Sequence, residues 1–253
     1  MSLSSLRWRA TLALGVAAAA VLALAVPAGA STGTRWTSPE QAGYIATGAQ
    51  FKTISTHVYL RNPAQYAGKV ASYRYSVQLW SSGLVVTIGL RASTSGTRYT
   101  PYATIYNRST HQVIASNPNT PGFRPFGFGA SCELIINYRP ATGYLTMYAT
   151  FGYGPDFWSS YTVSSQSFTQ ARVGTEFGSS PWDASYSHVR PQAMPLKIAA
   201  YNDVRLTSYS GHTATLWSWW VHHKLLAFQS SGDLVAAPNN LTNGGADFQT
   251  FLE

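Results

Sequence analysis

The sequence predicts an all-β protein built of two packed antiparallel sheets, and three observations predict it. Apolar and polar residues alternate with a period of two through most of the chain beyond residue 30, as strands with one buried face require. Clusters of Gly, Pro, Asn and Asp punctuate this alternation at short intervals, and helical periodicity is scarce. Aromatic residues make up 14% of the chain and Cys132 is its one cysteine, so the fold is held by burial and not by internal disulfides.

The elements follow in order. Arg7 and Arg9, an apolar run from Ala10 to Val26, and the small residues Ala28-Gly29-Ala30 read as a secretory leader spanning residues 1–30. The alternative, an N-terminal anchor, fits less well because the run is short for a bilayer span and ends at Pro27. The remainder, 31–253, reads as one exported β-sandwich domain with no later segment apolar enough to span a membrane. "KVASYRYSVQLW" sets Val70, Ser72 and Arg74 against Ala71, Tyr73, Tyr75 and Val77. "LVVTIGL", "CELIINY", "YLTMYATF", "PLKIAAYNDVRL" and "TATLWSWWV" predict further strands, roughly a dozen in all, rich in β-branched and aromatic residues. Turns are predicted at Asn107-Arg108-Ser109, Asn117-Pro118-Asn119 and Ser231-Gly232-Asp233, and a hairpin at "YRPATGYL". "NPNTPGFRPFGFG" is a long loop, read either as a binding loop or as packing against the sandwich. Cys132 reads as a small buried strand residue.

Composition excludes several function classes. There are 17 basic and 9 acidic side chains, a net charge of +8. The arginines are scattered singly, which predicts a diffusely basic surface and no nucleic-acid site; weak attraction to anionic cell-wall polymers is compatible with it. No nucleophile elbow, zinc motif, phosphate loop or paired-cysteine site is present, so no metal and no cofactor is expected. His222 and His223 are adjacent and point to opposite faces of a strand. Oligomeric state is not set by the sequence. In "TLWSWWVHHK", Trp217 and Trp219 share a face and Trp220 takes the other, so they serve either as core or as a platform for a ligand.

Short motifs carry a resemblance. "AGYIATGAQFKTISTHVYLRNP" resembles the opening of the glutamic peptidases (eqolisins), "SVQLWSSGLVVTIGL" their S-x-W-V-G-x-x-G region, and "SSGDLVAAPNNLTNGGADFQTF" their closing strands. The resemblance implies a concanavalin-like, jelly-roll sandwich and an exported protein. It also implies a concave sheet where a glutamine and a glutamate act together, the carboxylate as general base and the amide on the oxyanion. The glutamine's position corresponds to Thr87. In "ARVGTEF" the family's first glutamate corresponds to Arg172, its tryptophan to Val173 and its second glutamate to Glu176. "YTPYATIYN" follows the family's next strand only loosely and has no acid.

Arg172 and Glu176 have the same parity and share a strand face. Two placements of Glu176 are open: paired with Arg172, which would lower its pKa, or at a strand end in solvent. Gly174 is a candidate bulge. Gln78 is the nearest spare glutamine, so Gln78 and Glu176 are the candidates for a relocated catalytic pair. The expected function is a secreted, non-catalytic sandwich that binds an extended glycan or peptide through Thr87, Arg172, Trp80, Trp217 and Trp219. The alternatives are an acid-active glutamic endopeptidase using Gln78 and Glu176, and a surface or matrix protein that self-associates through exposed aromatics.

Overall fold

A computed structural model of the chain describes residues 36–38, 41–117, 125–151, 157–177, 194–216, 221–228 and 234–253. The leader, Trp217 and Trp219, the Ser231-Gly232-Asp233 turn and most of the "NPNTPGFRPFGFG" loop lie outside the described residues. What is described falls within one unit, Gly33–Glu253.

Among the described residues sixteen strands are present, more than the dozen expected. They are β1 (Trp36–Ser38), β2 (Gln41–Thr47), β3 (Phe51–Tyr59), β4 (Ser72–Trp80), β5 (Leu84–Ser93), β6 (Tyr99–Asn107), β7 (Gln112–Ser116) and β8 (Ser131–Arg139). The second half supplies β9 (Tyr144–Thr150), β10 (Phe157–Thr162), β11 (Gln170–Glu176), β12 (Leu196–Ser208), β13 (Thr213–Ala214), β14 (Val221–Phe228), β15 (Leu234–Pro238) and β16 (Phe248–Leu252). The helical content described is two short 3-10 turns. Among the described residues no helix is long and apolar enough to cross a membrane.

Hydrogen bonds link the strands in the order β10-β9-β8-β3-β12-β16-β15-β14-β2-β11-β4-β5-β6-β7. Pairing is antiparallel except for β1, which lies parallel to β14. The sheet doubles back, so β4 and β11 pack across the core on β12 and β16. Tyr75 on β4 donates to the carbonyl of Ile198 on β12 at 2.7 Å. Thr175 on β11 bonds the hydroxyls of Tyr201 and Thr250 at 2.8 and 2.7 Å. The core is aromatic: Tyr66, Tyr73, Tyr75, Tyr99, Tyr201 and Phe248 are all buried. Each fully buried large side chain contributes roughly 1.5–3 kcal/mol over its exposed state, and the tyrosine hydroxyls find partners inside, as Tyr73 and Tyr99 do at 2.8 Å.

The "YRPATGYL" hairpin joins β8 to β9, with Gly143 at φ +69° donating to Arg139. Asn107 closes β6 before a turn, as expected. Cys132 is buried on β8. From the long loop, Phe126 packs edge-on against Phe151 and bonds the backbone of Tyr99, which is the packing reading for that residue. Two expectations need correction. "TATLWSWWV" is not one strand: β13 ends at Ala214 and Leu216 sits in a turn. Gly174 is not a bulge, because β11 keeps unbroken register with β2 and β4. It stands directly opposite Gly43, and a Cβ on either glycine would collide with the other strand's backbone. The two strands approach too closely there for a side chain.

Candidate functional site

Strand alternation divides β11, β4, β5 and β6 into an inner face, which meets the other layer, and an outer face. On β4 the inner residues are Tyr73, Tyr75, Val77 and Leu79; the outer ones are Arg74, Ser76, Gln78 and Trp80. Register then sorts the outer face into rows. One row runs Arg172, Gln78, Thr87, Thr104. The next runs Gly43, Gly174, Ser76, Gly89. The third runs Gln41, Glu176, Arg74, Arg91.

The middle row has almost no side chains, and this decides the geometry. Glu176 from the third row leans across Gly174 and Ser76 to reach Gln78 in the first. Gln78 Nε2 donates to Glu176 Oε1 at 2.7 Å, and the hydroxyl of Ser76 donates to the same oxygen. Trp80 Nε1 donates to Gln78 Oε1 at 2.7 Å, which fixes the amide so that its nitrogen faces the carboxylate. Arg74 Nη1 lies 3.8 Å from Glu176 Oε2. Gln78 and Glu176 are 3% and 4% exposed. At Gly89 the space is filled from β6: the Tyr102 ring lies where a Cβ would be, 2.8 Å away.

Three expectations about Glu176 are therefore corrected. It does end β11, but it is buried there and not in solvent. Its ion-pair partner is Arg74 and not Arg172, because Arg74 stands directly opposite it in the same row while Arg172 lies two rows away. Its pKa is raised above 4.5 and not lowered: burial disfavours the charge, and Arg74, Ser76, Gln78 and Arg172 offset this only in part.

Arg172 is half-buried and takes a different partner. Its guanidinium stacks 3.5 Å from the Trp80 ring centroid and donates to Gln170 Oε1 at 2.9 Å, while Arg108 lies 5.3 Å from the same ring. Burial, then Arg108, lowers the Arg172 pKa to about 10, still protonated at any ordinary pH. Arg172 Nε, Thr87 Oγ1 and Thr104 Oγ1 are buried without hydrogen-bond partners among the described residues. Such groups are costly to bury. No group of His, Cys, Asp and Glu suited to a metal occurs among the described residues.

The structure brings Gln78, Thr87, Arg172, Trp80 and Glu176 onto one face. It also adds Arg74, Ser76, Arg91, Tyr102 and Thr104, which sequence reasoning passed over. Their signal was parity: Arg74 and Ser76 stand four and two residues before Gln78 on the same strand.

No family model matches the sequence, and the search of curated proteins found no match. Solved structures do match. The chain is similar to scytalido-glutamic peptidase with a transition state analog inhibitor, at 14% identity and a TM-score of 0.59, covering 85% of this chain and 98% of that one. A second structure of scytalido-glutamic peptidase, with a peptide-based transition state analog, gives 16% identity and 0.58 over the same shares. SCP-B, a member of the eqolisin family in complex with the tripeptide Ala-Ile-His, gives 14% and 0.53, again over 85% and 98%. The chain therefore has the β-sandwich fold of the glutamic peptidases.

Proposed function

We propose that this chain is an exported protein whose outer face on β11, β4, β5 and β6 binds an extended polymer without cleaving it. The observation that carries this reading is the first row, where Arg172 stacks on Trp80 beside Gln78 and Thr87. By the resemblance, Arg172 stands where the general base would be and Thr87 where the glutamine would be. A guanidinium cannot take a proton from water. It can hold a carbonyl or an anionic group, and the buried Arg172 Nε and Thr87 Oγ1 have no partner among the described residues. The tripeptide bound by SCP-B supports a peptide as the occupant. The test is calorimetric titration of an unfolded polypeptide and of an oligosaccharide, with new amino termini assayed in the same samples. Binding without new termini, weakened about tenfold by Trp80→Ala, is the expected result. Failure of both ligands to bind defeats the reading.

A second reading rests on a different observation, the 2.7 Å bond from Gln78 to Glu176. In it Glu176 takes a proton from water as the oxygen attacks the scissile carbonyl, and Gln78 holds the oxyanion through its other amide proton. The C–N bond then breaks as Glu176 returns the proton to the leaving amine. The raised pKa of Glu176 suits this role. Against it, Ser76, Gln78 and Arg74 already face the carboxylate's two oxygens.

A further inference from the structure

We propose that the pocket at the Trp80 end of the outer face holds the carboxyl-terminal residue of a bound polypeptide, its side chain against Trp80, Val85 and Tyr106 and its free carboxylate on Arg108. This rests on the binding reading above and names the part of the polymer that the face takes. The pocket, about 360 Å³, is lined by those four residues with Ser82, Ser109 and His111. Residues 79–86 and 105–112, which carry all of them, lie wholly among the described residues.

The floor is apolar by register. Trp80, Val85 and Tyr106 stand side by side on β4, β5 and β6, one row beyond Gln78, Thr87 and Thr104. The rim is cationic and held in place. Arg108 follows β6 in a turn whose backbone is tied twice. Its N–H donates to the Gly83 carbonyl at 2.8 Å, and Asn107 Oδ1 accepts from the N–H groups of Ser109 and Thr110 at 2.9 and 3.1 Å. The Arg108 guanidinium then reaches back to the turn after β4. There Nη1 donates to the Ser81 carbonyl at 2.8 Å, and the group lies 5.3 Å from the Trp80 ring centroid. Its other donors remain for a ligand, and a guanidinium so tethered loses little freedom on gripping an oxyanion.

No ion pair meets this charge. Arg172 lies over the same indole at 3.5 Å, neither arginine has a salt bridge among the described residues, and no residue lining the pocket is acidic. Burial and then Arg108 lower the Arg172 pKa, and the repulsion from Arg108 outweighs the attraction of Glu176. A carboxylate on Arg108 relieves that repulsion and meets the guanidinium fork. A free chain end supplies both parts of the pocket at once, because its carboxylate sits beside its own side chain. An internal aspartate or glutamate brings the charge without an apolar group for the floor. A sugar acid fits less well: a sugar ring stacks on the open face of an indole, and two guanidiniums already lie over Trp80.

The test titrates by calorimetry an unstructured peptide ending in phenylalanine as the free acid, the same peptide as its amide, the amide with glutamate as its last residue, and polygalacturonate. Wild-type protein is compared with Arg108→Gln and with Arg139→Gln, which removes the same charge from an exposed position on β8. The free acid is expected to bind about tenfold tighter than either amide. Arg108→Gln should abolish that preference and Arg139→Gln should keep it. Equal affinities, a preference that survives Arg108→Gln, or one lost equally in Arg139→Gln overturn the proposal and leave the binding reading standing. So does a glutamate amide that matches the free acid, since a side-chain carboxylate then serves as well as a chain end. Polygalacturonate binding in place of the peptides overturns the commitment to a polypeptide. If none of the four binds, the proposal and the binding reading fail together.

Discussion

The two faces of β4 come from one alternating run, "SYRYSVQLW", and have opposite chemistry. The inner face, Tyr73, Tyr75, Val77 and Leu79, closes every polar atom it buries inside the fold: Tyr75 donates to Ile198 and Tyr73 meets Tyr99. The outer face, Arg74, Ser76, Gln78 and Trp80, is nearly as buried, yet its row neighbours Thr87 and Thr104 have hydroxyls with no partner among the described residues. A core satisfies its polar groups because burying them unpaired costs about 1–3 kcal/mol each. On the proposed binding reading, a face that leaves them open trades that stability for the capacity to hold something else.

The comparison breaks most severely on the inner face. Tyr75→Ala should cost about 3–5 kcal/mol, from lost burial and the lost hydrogen bond to the Ile198 carbonyl, as measured by denaturant unfolding. Gly174→Val should be comparably damaging, because its Cβ meets the backbone of Ala42; loss of soluble folded protein is the readout.

Glu176 gives a smaller, pH-dependent effect. Its folded-state pKa is raised above 4.5 by burial. Stability from this group is therefore fully present below the unfolded pKa and is lost as pH rises through the folded value. The melting temperature of wild type relative to Glu176→Gln should be most favourable to wild type in acid and fall towards neutrality. A difference that grows with pH would mean that Arg74 dominates over burial. Smallest of all, Arg172→Ala should change stability by about 1 kcal/mol, from the stack on the half-exposed Trp80, while weakening ligand binding about tenfold.

Alternation and turn residues made the fold legible, because burial on one side of a strand imposes a period of two. "YRPATGYL" shows how completely a turn's chemistry fixes a hairpin. "TATLWSWWV" shows the limit: its composition says strand, but Leu216 turns, since composition does not encode where the chain must change direction. The site was legible in its members, Gln78, Thr87, Trp80, Arg172 and Glu176, and not in its pairings. Parity places Arg172 and Glu176 on one face. It says nothing of the Gly43, Gly174 and Gly89 row that opens space between them, or that Arg74 is the closer cation. Those depend on register between strands far apart in sequence. Trp217 and Trp219 fall outside the described residues and contribute nothing to this comparison.

The most direct test of the central claim is hydrolysis of an unfolded protein from about pH 2 to neutral by wild type and Glu176→Gln. The account predicts no new amino termini from either protein at any pH where both are folded. Turnover by wild type at acid pH that disappears in Glu176→Gln would contradict it, and would make Gln78 and Glu176 a working catalytic pair.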